Sequence, residues 1–400
     1  PSVIFWSMGN ECGGGSNFVA GKAAIAELDN RLVHYEGMNE AADMDSRMYP
    51  SIESMMRDDQ NSDKQGRPFY LCEYAHAMGN AIGNLKEYWD YIEFESQRMI
   101  GACIWDWVDQ GLYKYGEPHT NIYYGGGFGD FPNDQDFCCN GIITADRHVT
   151  PKLWQVKKVY QYVDFRITED HRLRIRNRYC FTPLNEFKLS YSLLEDGIEK
   201  GKGRIDLPFC APGDSVFVSL PVDIPQEGLW HMNLSLQLKD ATRWAEAGHE
   251  VASEQFLLCD KTTATSTSTK GSIQISEQGK RLTLKGNGWQ IQTNEQGELV
   301  SLQYNGKEML AQQPALLFSG FRSISNDRRN ANAQPNVKRQ GYTWRTSEAK
   351  DTVIVCLDEV IEQGKTSVPL QMSYRITADG HIQVDATFDN SQNADFSRLG

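Results

Sequence analysis

The sequence predicts a multidomain chain in which an α/β region is followed by two regions of β-sheet. Up to about residue 162, apolar runs of strand length alternate with amphipathic helical segments. Beyond that point apolar residues recur at every second position, as in residues 230–238, which is typical of half-buried antiparallel strands. We therefore expect the C-terminal part of a (β/α)8 TIM barrel, then an immunoglobulin-like β-sandwich, then the start of a second, larger β-sandwich.

The same patterns place the domain boundaries. The partial barrel, with its strands four to eight, is expected at 1–162 and the first sandwich at 163–260. A linker is expected at 261–272, because seven of the eight residues at 262–269 are Thr or Ser and supply no apolar face to pack. A solvated strand edge is the alternative there. The second sandwich is expected at 273–400 and to be incomplete, with open strand edges that further sequence must cover.

Five strands are expected in the α/β region, at residues 3–9, 32–36, 45–49, 68–72 and 100–107. The first and fourth are apolar throughout, which predicts strands buried on both faces. Helices are expected to begin at Ser16 or Asn17, at Ser51, at Ala81 and at Thr150, where a capping residue precedes a first-turn proline. Because five strands cannot close an eight-stranded barrel, we expect three more strands upstream and no activity from these 400 residues alone.

Strict alternation of apolar and polar residues predicts the strands of the two β regions. In the first region the alternating runs are 187–193, 216–220 and 230–238. In the second region Asn305–Gly306 predicts a two-residue hairpin turn, because Asn and Gly tolerate the positive φ that such turns require. A further alternating run at 382–388 predicts a strand near the end of the chain.

Composition excludes several classes of function. A formal net charge of −13 leaves no basic stripe to meet the phosphates of a nucleic acid. No apolar stretch approaches the ~20 residues that a membrane-spanning helix needs. The nine cysteines are odd in number and lack CxxC spacing, which argues against a zinc site and against a disulfide framework. The adjacent Cys138 and Cys139 are expected to be free thiols, with a strained vicinal bridge as the alternative, and a reducing compartment is preferred.

Two glutamates, Glu11 and Glu73, end separate predicted strands of the barrel. Catalytic groups of such barrels lie at the carboxyl ends of the strands, and two carboxylates are the minimum for cleaving a glycosidic bond. The neighbours support this chemistry: the amide of Asn10 can bind a sugar hydroxyl, the phenol of Tyr49 can touch a carboxylate, and Trp105 offers an aromatic floor. The alternative is that one glutamate is an ordinary surface residue in a salt bridge.

At these positions the sequence resembles the large bacterial β-galactosidases of glycoside hydrolase family 2. The matching runs, in chain order, are WSMGNE at 6–11, LCEYAHAMGN at 71–80, WDWVDQ at 105–110, FGDFPND at 128–134 and FCCNG at 137–141. The later β regions are similar to the domains that follow the barrel in this family, mainly through residues 244–249. In that comparison the last region corresponds to a galactose mutarotase-like sandwich.

The resemblance implies a retaining β-galactosidase that removes terminal β-D-galactose from lactose-like substrates. Glu73 is then the nucleophile that forms a covalent galactosyl-enzyme, and Glu11 is the acid that later acts as the base. In the same comparison Tyr49 donates a hydrogen bond to Glu73.

The resemblance also implies the residues that bind the sugar. Asn10 and His76 correspond to side chains that contact galactose hydroxyls, and Trp105 to one that borders the pocket. Considered without the resemblance, His76 is equally compatible with a supporting structural role.

The resemblance further implies two metal cofactors. Glu11 corresponds to a ligand of Mg²⁺, whereas the carbonyl of Phe137 and the side chain of Asn140 correspond to ligands of Na⁺ or K⁺. The remaining ligands, a histidine and a glutamate for magnesium and an aspartate for sodium, are expected in sequence upstream. From the residues alone, Asn140–Gly141 is equally well a plain turn.

Other functions stay open at the level of sequence. A β-glucuronidase or β-mannosidase would share both glutamates, but a glucuronidase needs a cation for its substrate and the five matching runs contain no Lys or Arg. A catalytically dead carbohydrate-binding β-sandwich protein is disfavoured because both glutamates are present. We expect a β-galactoside substrate, no nucleic-acid or membrane partner, a homo-oligomer when full length, and a cytoplasmic location with a periplasmic one as the alternative.

Overall fold

A computed structural model describes residues 2–64, 66–261, 271–311, 314, 316, 318–319, 336–394 and 396. The chain divides into two compact units, Pro1–Thr263 and Ala264–Gly400. The predicted linker at 261–272 lies mostly outside the described residues, which omit 262–270. The predicted boundary at residue 162 stays a prediction, because both sides of it belong to the first unit. Within the described residues, no helix is both long and apolar enough to cross a membrane.

The α/β part of the first unit contains five strands and four helices. In chain order they are β1 (Phe5–Ser7), α1 (Ser16–Leu28), β2 (Leu32–His34), β3 (Asp45–Met48), α2 (Ile52–Asp59), β4 (Phe69–Tyr74), α3 (Leu85–Phe94), β5 (Met99–Ile104) and α4 (Pro151–Val159). Strand β1 pairs with β2, and β3, β4 and β5 form a second ladder in that order. All of these pairs are parallel, so the carboxyl ends of the strands lie on one side.

Most of the predicted elements of this region are confirmed. All five strands occur. On β4 the predicted burial holds for the face of Phe69 and Leu71, whereas Tyr70 and Cys72 on the other face are only partly buried. Ser51 and Thr150 cap α2 and α4 through their side-chain oxygens.

Two predictions about this region are wrong. Strand β1 spans three residues and is not buried on both faces: Ile4 and Trp6 are 72% and 38% exposed. Among the described residues β1 pairs only with β2, so nothing covers its other edge. Helix α3 begins at Leu85 rather than Ala81, because Asn84 takes a left-handed conformation with φ of 62° that interrupts a helix.

A buried histidine joins the two parallel ladders. His34, the last residue of β2, is 4% exposed. Its Nδ1 lies 3.0 Å from Oγ of Ser7 on β1, and its Nε2 lies 2.8 Å from Oγ of Ser46 on β3. The backbone adds a further link, since the N–H of Asp43 donates to the carbonyl of Val33 at 2.8 Å. One side chain therefore links Ser7, the last residue of β1, to Ser46 near the start of β3.

A buried ion pair ties the amino-terminal ends of β3 and β5. Arg98, which precedes β5, has a side chain that is 6% exposed. Its Nη1 donates to Oδ2 of Asp45 at the start of β3 at 2.9 Å, and its Nε lies 3.3 Å from Oδ1 of Asp59 at the end of α2. The guanidinium also donates to the carbonyl oxygens of Asp58, Asp59 and Arg67. Such extensive hydrogen bonding is what a buried charge requires.

The rest of the first unit is a two-sheet β-sandwich. Its strands are β6 (Val163–Ile167), β7 (Arg172–Asn177), β8 (Phe187–Glu195), β9 (Ile198–Ile205), β10 (Ser215–Ser219), β11 (Gly228–Leu238) and β12 (Glu250–Lys261). They form antiparallel sheets in the orders β10-β7-β6 and β12-β11-β8-β9. The predicted alternation in β11 is confirmed, because Met232, Leu234 and Leu236 are all buried in the core between the sheets.

The second unit is made of two antiparallel sheets. The strands are β13 (Gln274–Gln278), β14 (Arg281–Gly286), β15 (Trp289–Thr293), β16 (Leu299–Tyr304), β17 (Lys307–Glu308), β18 (Asn336–Thr346), β19 (Thr352–Gln363), β20 (Thr366–Thr377) and β21 (Ile382–Phe388). Each sheet follows chain order, from β13 to β17 and from β18 to β21. The predicted strand at 382–388 and the hairpin at Asn305–Gly306 are both confirmed, the two turn residues having φ of 48° and 77°.

The link through His34 leads to a pH-dependent stability. Burial holds the pKa of His34 below its ordinary value of 6.5, so the unfolded chain binds a proton more readily than the folded one. This contribution to stability is complete above pH 6.5 and is lost as the pH falls below it. We expect the loss of stability between about pH 7.5 and 5.5, measured by urea unfolding, to be smaller in His34→Gln.

His148→Gln is the matched control for this experiment. His148 is exposed and pairs with Asp146 at 2.8 Å, which raises its pKa, so its substitution changes the pH dependence in the opposite sense. A pH dependence that is the same in His34→Gln and the unmodified chain would contradict the role given to His34.

Candidate active site

The first carboxylate of the site lies at the carboxyl end of β4. Glu73 is 8% exposed, and its Oε2 accepts a hydrogen bond from the phenol of Tyr49 at 2.7 Å. The backbone N–H of Tyr49 also donates to the carbonyl of Glu73 at 2.9 Å. Tyr49 and Ala75 both have positive φ values, 46° and 48°, so the chain turns sharply where β3 and β4 end. These turns direct the Tyr49 phenol and the Glu73 carboxylate toward each other.

The phenol of Tyr49 stays protonated because of its surroundings. Although 42% of the whole residue is exposed, its hydroxyl is partly withdrawn from water beside Glu73. This desolvation raises the pKa of Tyr49 well above 10, helped by the hydrogen bond to Glu73 and by the negative charges of Glu73 and Glu11. Tyr49 is therefore a permanent hydrogen-bond donor. The negative charges of both glutamates act on this one phenol, and the close approach of the two carboxylates stays a prediction.

Glu11 is presented by a loop that is anchored from below. The residue follows β1, has φ of 53° and is exposed. Tyr35, which follows β2 and is fully buried, donates through its hydroxyl to the carbonyl of Gly13 and lies 3.5 Å from Sγ of Cys12. The ring of Phe18 stacks on Tyr35 at 4.0 Å. The backbone beside Glu11 is thus fixed while its carboxylate faces solvent.

His76 lies between Tyr49 and an exposed aromatic ring. Its imidazole is 5.9 Å from the ring of Phe137 in a stacked arrangement and 5.8 Å from the ring of Tyr49 edge-on. Burial lowers the pKa of His76, and the charge of Glu73 partly opposes this. Among the described residues its buried Nδ1 has no hydrogen-bond partner. The imidazole of His76 thus lies beside Glu73 and Tyr49 with one nitrogen that is unpaired and withdrawn from solvent.

Trp105 and Asn140 form the next side of the site. Trp105 follows β5, and its backbone N–H donates to the carbonyl of Tyr74 at 3.1 Å. Asn140 is 4% exposed. In the amide orientation that satisfies both of its polar atoms, its oxygen accepts from Nε1 of Trp105 at 3.1 Å and its nitrogen donates to the carbonyl of Cys138 at 3.2 Å. One face of the indole remains open, as Trp105 is 37% exposed.

The same amide orientation creates a pair of oxygens suited to a cation. The Asn140 amide atom that faces Trp105 lies 3.5 Å from the carbonyl oxygen of Phe137. When that atom is oxygen, the two oxygens face each other with no hydrogen between them, so they cannot hydrogen-bond to each other. Two such oxygens could both coordinate an alkali cation. Phe137 and Asn140 therefore fit the predicted pair of sodium ligands.

The magnesium prediction has less support within the chain. No group of three or more His, Cys, Asp or Glu side chains within the described ranges has a geometry that could hold a metal. Glu11 is thus a single carboxylate ligand at most, as expected if the partner ligands lie in other sequence. Cys138 and Cys139 are both free thiols, which confirms the preferred alternative.

The structure brings together most of the predicted site residues. Successive contacts link Glu73 to Tyr49, Tyr49 to His76 and His76 to Phe137. Asn140 lies beside Phe137 and joins Trp105 to the same cluster. Asn10 is exposed beside Glu11. Sequence reasoning missed Tyr35. The sequence did contain a signal for Tyr35: it comes directly after β2, just as Tyr49 comes directly after β3.

Asp109 was missed as well. Its Oδ1 accepts from the N–H of Gly141 at 2.7 Å and so fixes the loop that carries Asn140. This aspartate falls within the run WDWVDQ, but the run alone does not reveal which of its two aspartates holds the loop.

Comparison with protein families gives three consecutive matches. Residues 1–165 match the model described as "Glycosyl hydrolases family 2, TIM barrel domain", 173–259 match "Beta-galactosidase, domain 4", and 285–400 match "Beta galactosidase small chain". Together with the strands described above, these matches confirm the predicted fold class of a TIM-barrel part followed by β-sandwich domains.

Individual relatives give the same result. A β-galactosidase of Photobacterium profundum is 36% identical over 316 residues, which cover 72% of this chain and 31% of that protein. One of Priestia megaterium is 32% identical over 98% of this chain and 39% of its own length. The chain thus spans between about a third and two fifths of these relatives. A solved structure of a β-glucuronidase of Parabacteroides merdae is similar only at a TM-score of 0.30 and 12% identity. That match covers 97% of this chain and 49% of the β-glucuronidase chain.

The loop that carries Asn140 has no room for a side chain at its neighbour. A Cβ added to Gly141 would lie 2.1 Å from the backbone nitrogen of Asp109 and 2.3 Å from the carbonyl carbon of Val108. Because backbone atoms cannot move aside cheaply, we expect Gly141→Ala to lower the free energy of unfolding by about 1–3 kcal/mol or more. Thermal unfolding of the 400-residue chain, followed by tryptophan fluorescence, measures this effect.

Gly83→Ala serves as the control. A Cβ at Gly83 would meet nothing within 4 Å, so that variant should be as stable as the unmodified chain. Equal unfolding temperatures for both glycine variants would contradict the packing described for the Asn140 loop.

Proposed function

Because the chain belongs to glycosyl hydrolase family 2, we propose that it supplies the catalytic carboxylates of a retaining β-galactosidase. The observation that carries the proposal is the hydrogen bond from Tyr49 to the buried carboxylate of Glu73, on a phenol that the negative charge of Glu11 also affects. Two carboxylates delivered by different strands to one point of a barrel mouth are the equipment for glycosidic bond cleavage. The relatives that are named β-galactosidases support galactose as the sugar.

The different surroundings of the two glutamates support different roles. Glu73 is buried and one of its oxygens is engaged by Tyr49, so the other is oriented to attack the anomeric carbon. In the first step the bond between that carbon and the leaving oxygen breaks, the bond to Glu73 forms, and Glu11 gives its proton to the leaving oxygen. In the second step Glu11 takes a proton from water while the water oxygen displaces Glu73 from the sugar.

Tyr49 contributes to both steps through its fixed protonation state. Because its pKa is raised by desolvation and by the neighbouring negative charges, the phenol does not compete with Glu11 as a proton donor. It holds Oε2 of Glu73 in one direction and stabilises the carboxylate whenever this leaves the sugar. Tyr49 therefore orients the nucleophile, whereas Glu11 transfers the protons.

A neutral monosaccharide fits the rest of the site. We assign the imidazole of His76 and the amide of Asn10 to sugar hydroxyls, and the partly exposed indole of Trp105 is suited to the C–H face of a pyranose ring. In this proposal Phe137 and Asn140 would hold Na⁺ or K⁺, and Glu11 would be one ligand of Mg²⁺. These ions would supply fixed positive charge to the site.

A comparison of nitrophenyl glycosides tests the choice of sugar. In the protein that contains these 400 residues, we expect kcat/KM for the β-galactoside to exceed the values for the β-glucuronide and the β-mannoside. The reason is that the runs around Glu11 and Glu73 contain no cation for a carboxylate on the sugar. If either of the other glycosides were the best substrate, the galactoside assignment would be wrong.

Substitution of the nucleophile tests the mechanism. Glu73→Gln keeps the size of the side chain but removes the attacking oxygen, so we expect kcat to fall by at least about 10³-fold. Glu87→Gln, which alters an exposed residue on α3, should leave kcat unchanged. A 2-fluoro-galactoside with a good leaving group should accumulate as an ester on Glu73, and peptide mass spectrometry locates it. An ester found on Glu11 instead would reverse the two roles.

A further inference from the structure

Lys152 bridges two loops of the site from behind. It is the second residue of α4, and its half-buried ammonium donates to the carbonyl of Ala77 at 2.7 Å and to the carbonyl of Gly141 at 2.5 Å. Ala77 directly follows His76, and Gly141 directly follows Asn140. One side chain thus holds the backbone beside both His76 and Asn140.

This bridge closes a ring of three loops. The N–H of Ala77 donates to the carbonyl of Trp105 at 2.8 Å, and the N–H of Asp106 donates to the carbonyl of Asn140 at 2.8 Å. The loop after β5 is therefore joined to each of the other two by the backbone alone. The direct tie between those two, from Ala77 to Gly141, is made by Lys152.

The base of the lysine is itself fixed. The hydroxyl of Thr150 accepts from the N–H of Lys152 at 3.3 Å and donates to the carbonyl of Ile142 at 2.7 Å. The start of α4 is therefore anchored to the loop around Gly141 and Ile142, to which the ammonium also donates. Burial lowers the pKa of Lys152, and the charge of Asp109 opposes that effect. The ammonium keeps its donors directed at carbonyl oxygens, where charge-assisted hydrogen bonds are strong.

We propose that Lys152 is a positioning residue for galactose binding, acting through the two carbonyls that hold His76 and Asn140 in place. This inference rests on the proposed function of the site. Glu73 is held separately, by β4 and by Tyr49, and does not depend on the lysine. The loss of Lys152 therefore weakens ground-state binding of the sugar more than it slows the chemical step.

The test compares Lys152→Met with Lys157→Met in the protein that contains this chain. Both variants remove an ammonium from α4, but Lys157 lies 3.7 Å from Glu250 and contacts no loop carbonyl of the site. We expect KM for a nitrophenyl β-galactoside to rise about 10-fold in Lys152→Met, with kcat changed less than threefold. Lys157→Met should keep both values. Equal KM values for the two variants, or a fall in kcat at constant KM, would overturn the proposal.

Hydrogen exchange separates this proposal from the proposed function. In Lys152→Met the backbone amides of peptides covering residues 76–82 and 138–144 should exchange faster than in Lys157→Met, whatever the protein hydrolyses. An unmodified protein that fails to cleave galactosides would refute the proposed function, while the exchange rates still decide whether Lys152 fixes the loops. Unchanged exchange in both peptides would overturn the positioning role.

An added amine provides a second variant. Lys152 borders a surface cavity of about 610 Å³, so Lys152→Ala leaves space that opens to solvent. Propylammonium has the atoms that this substitution removes, and we expect it to lower KM of Lys152→Ala toward the unmodified value. Tetramethylammonium has the same charge but no N–H donor and should not. The same response to both ions, or none to propylammonium, would count against hydrogen bonding to the two carbonyls.

Discussion

The geometry of the site depends on the two hydrogen bonds that His34 makes across β2. The five strands of the α/β part form two separate parallel ladders. Glu11 lies in the loop after β1 of one ladder, and Tyr49 and Glu73 lie at the ends of β3 and β4 in the other. Parallel pairing within a ladder does not set the distance between ladders. His34 does so, because its two ring nitrogens reach Ser7 on one ladder and Ser46 on the other. A neutral imidazole, which can donate at one nitrogen and accept at the other, fits two hydroxyl partners.

The two carboxylates lie in different surroundings. Strand β4 lies in the middle of its ladder, and Glu73 near its end is buried and accepts a hydrogen bond from Tyr49. Glu11 lies on the loop after β1, whose backbone Tyr35 anchors through the carbonyl of Gly13. A nucleophile must keep one orientation, whereas an acid and base must reach both a leaving group and a water molecule. The fixed carboxylate of Glu73 therefore suits the role of nucleophile that we propose.

Local signals in the sequence predicted local structure well. Ser51 and Thr150 were identified as helix caps because a cap acts on N–H groups two or three residues away. The contact between Glu73 and Tyr49 was predicted because both residues end predicted strands, and parallel strands end on the same side of a sheet. The exposure of β1 was not predicted, since an apolar run does not reveal how many neighbours its strand has. His34 and Lys152 were not identified as links either, because their partners come from distant parts of the chain and no spacing rule connects them.

The loops of the site are held together mainly through backbone atoms, and this frees their side chains for a ligand. Carbonyl oxygens of Ala77, Trp105, Asn140 and Gly141 accept the bonds that join the three loops, and a lysine outside the pocket supplies two of the donors. The ring of His76 carries none of these ties, and Trp105 stays 37% exposed although its Nε1 donates to Asn140. A scaffold that held its loops through the ring of His76 would have to break those contacts to admit a sugar. Bonds to carbonyl oxygens avoid that cost for His76.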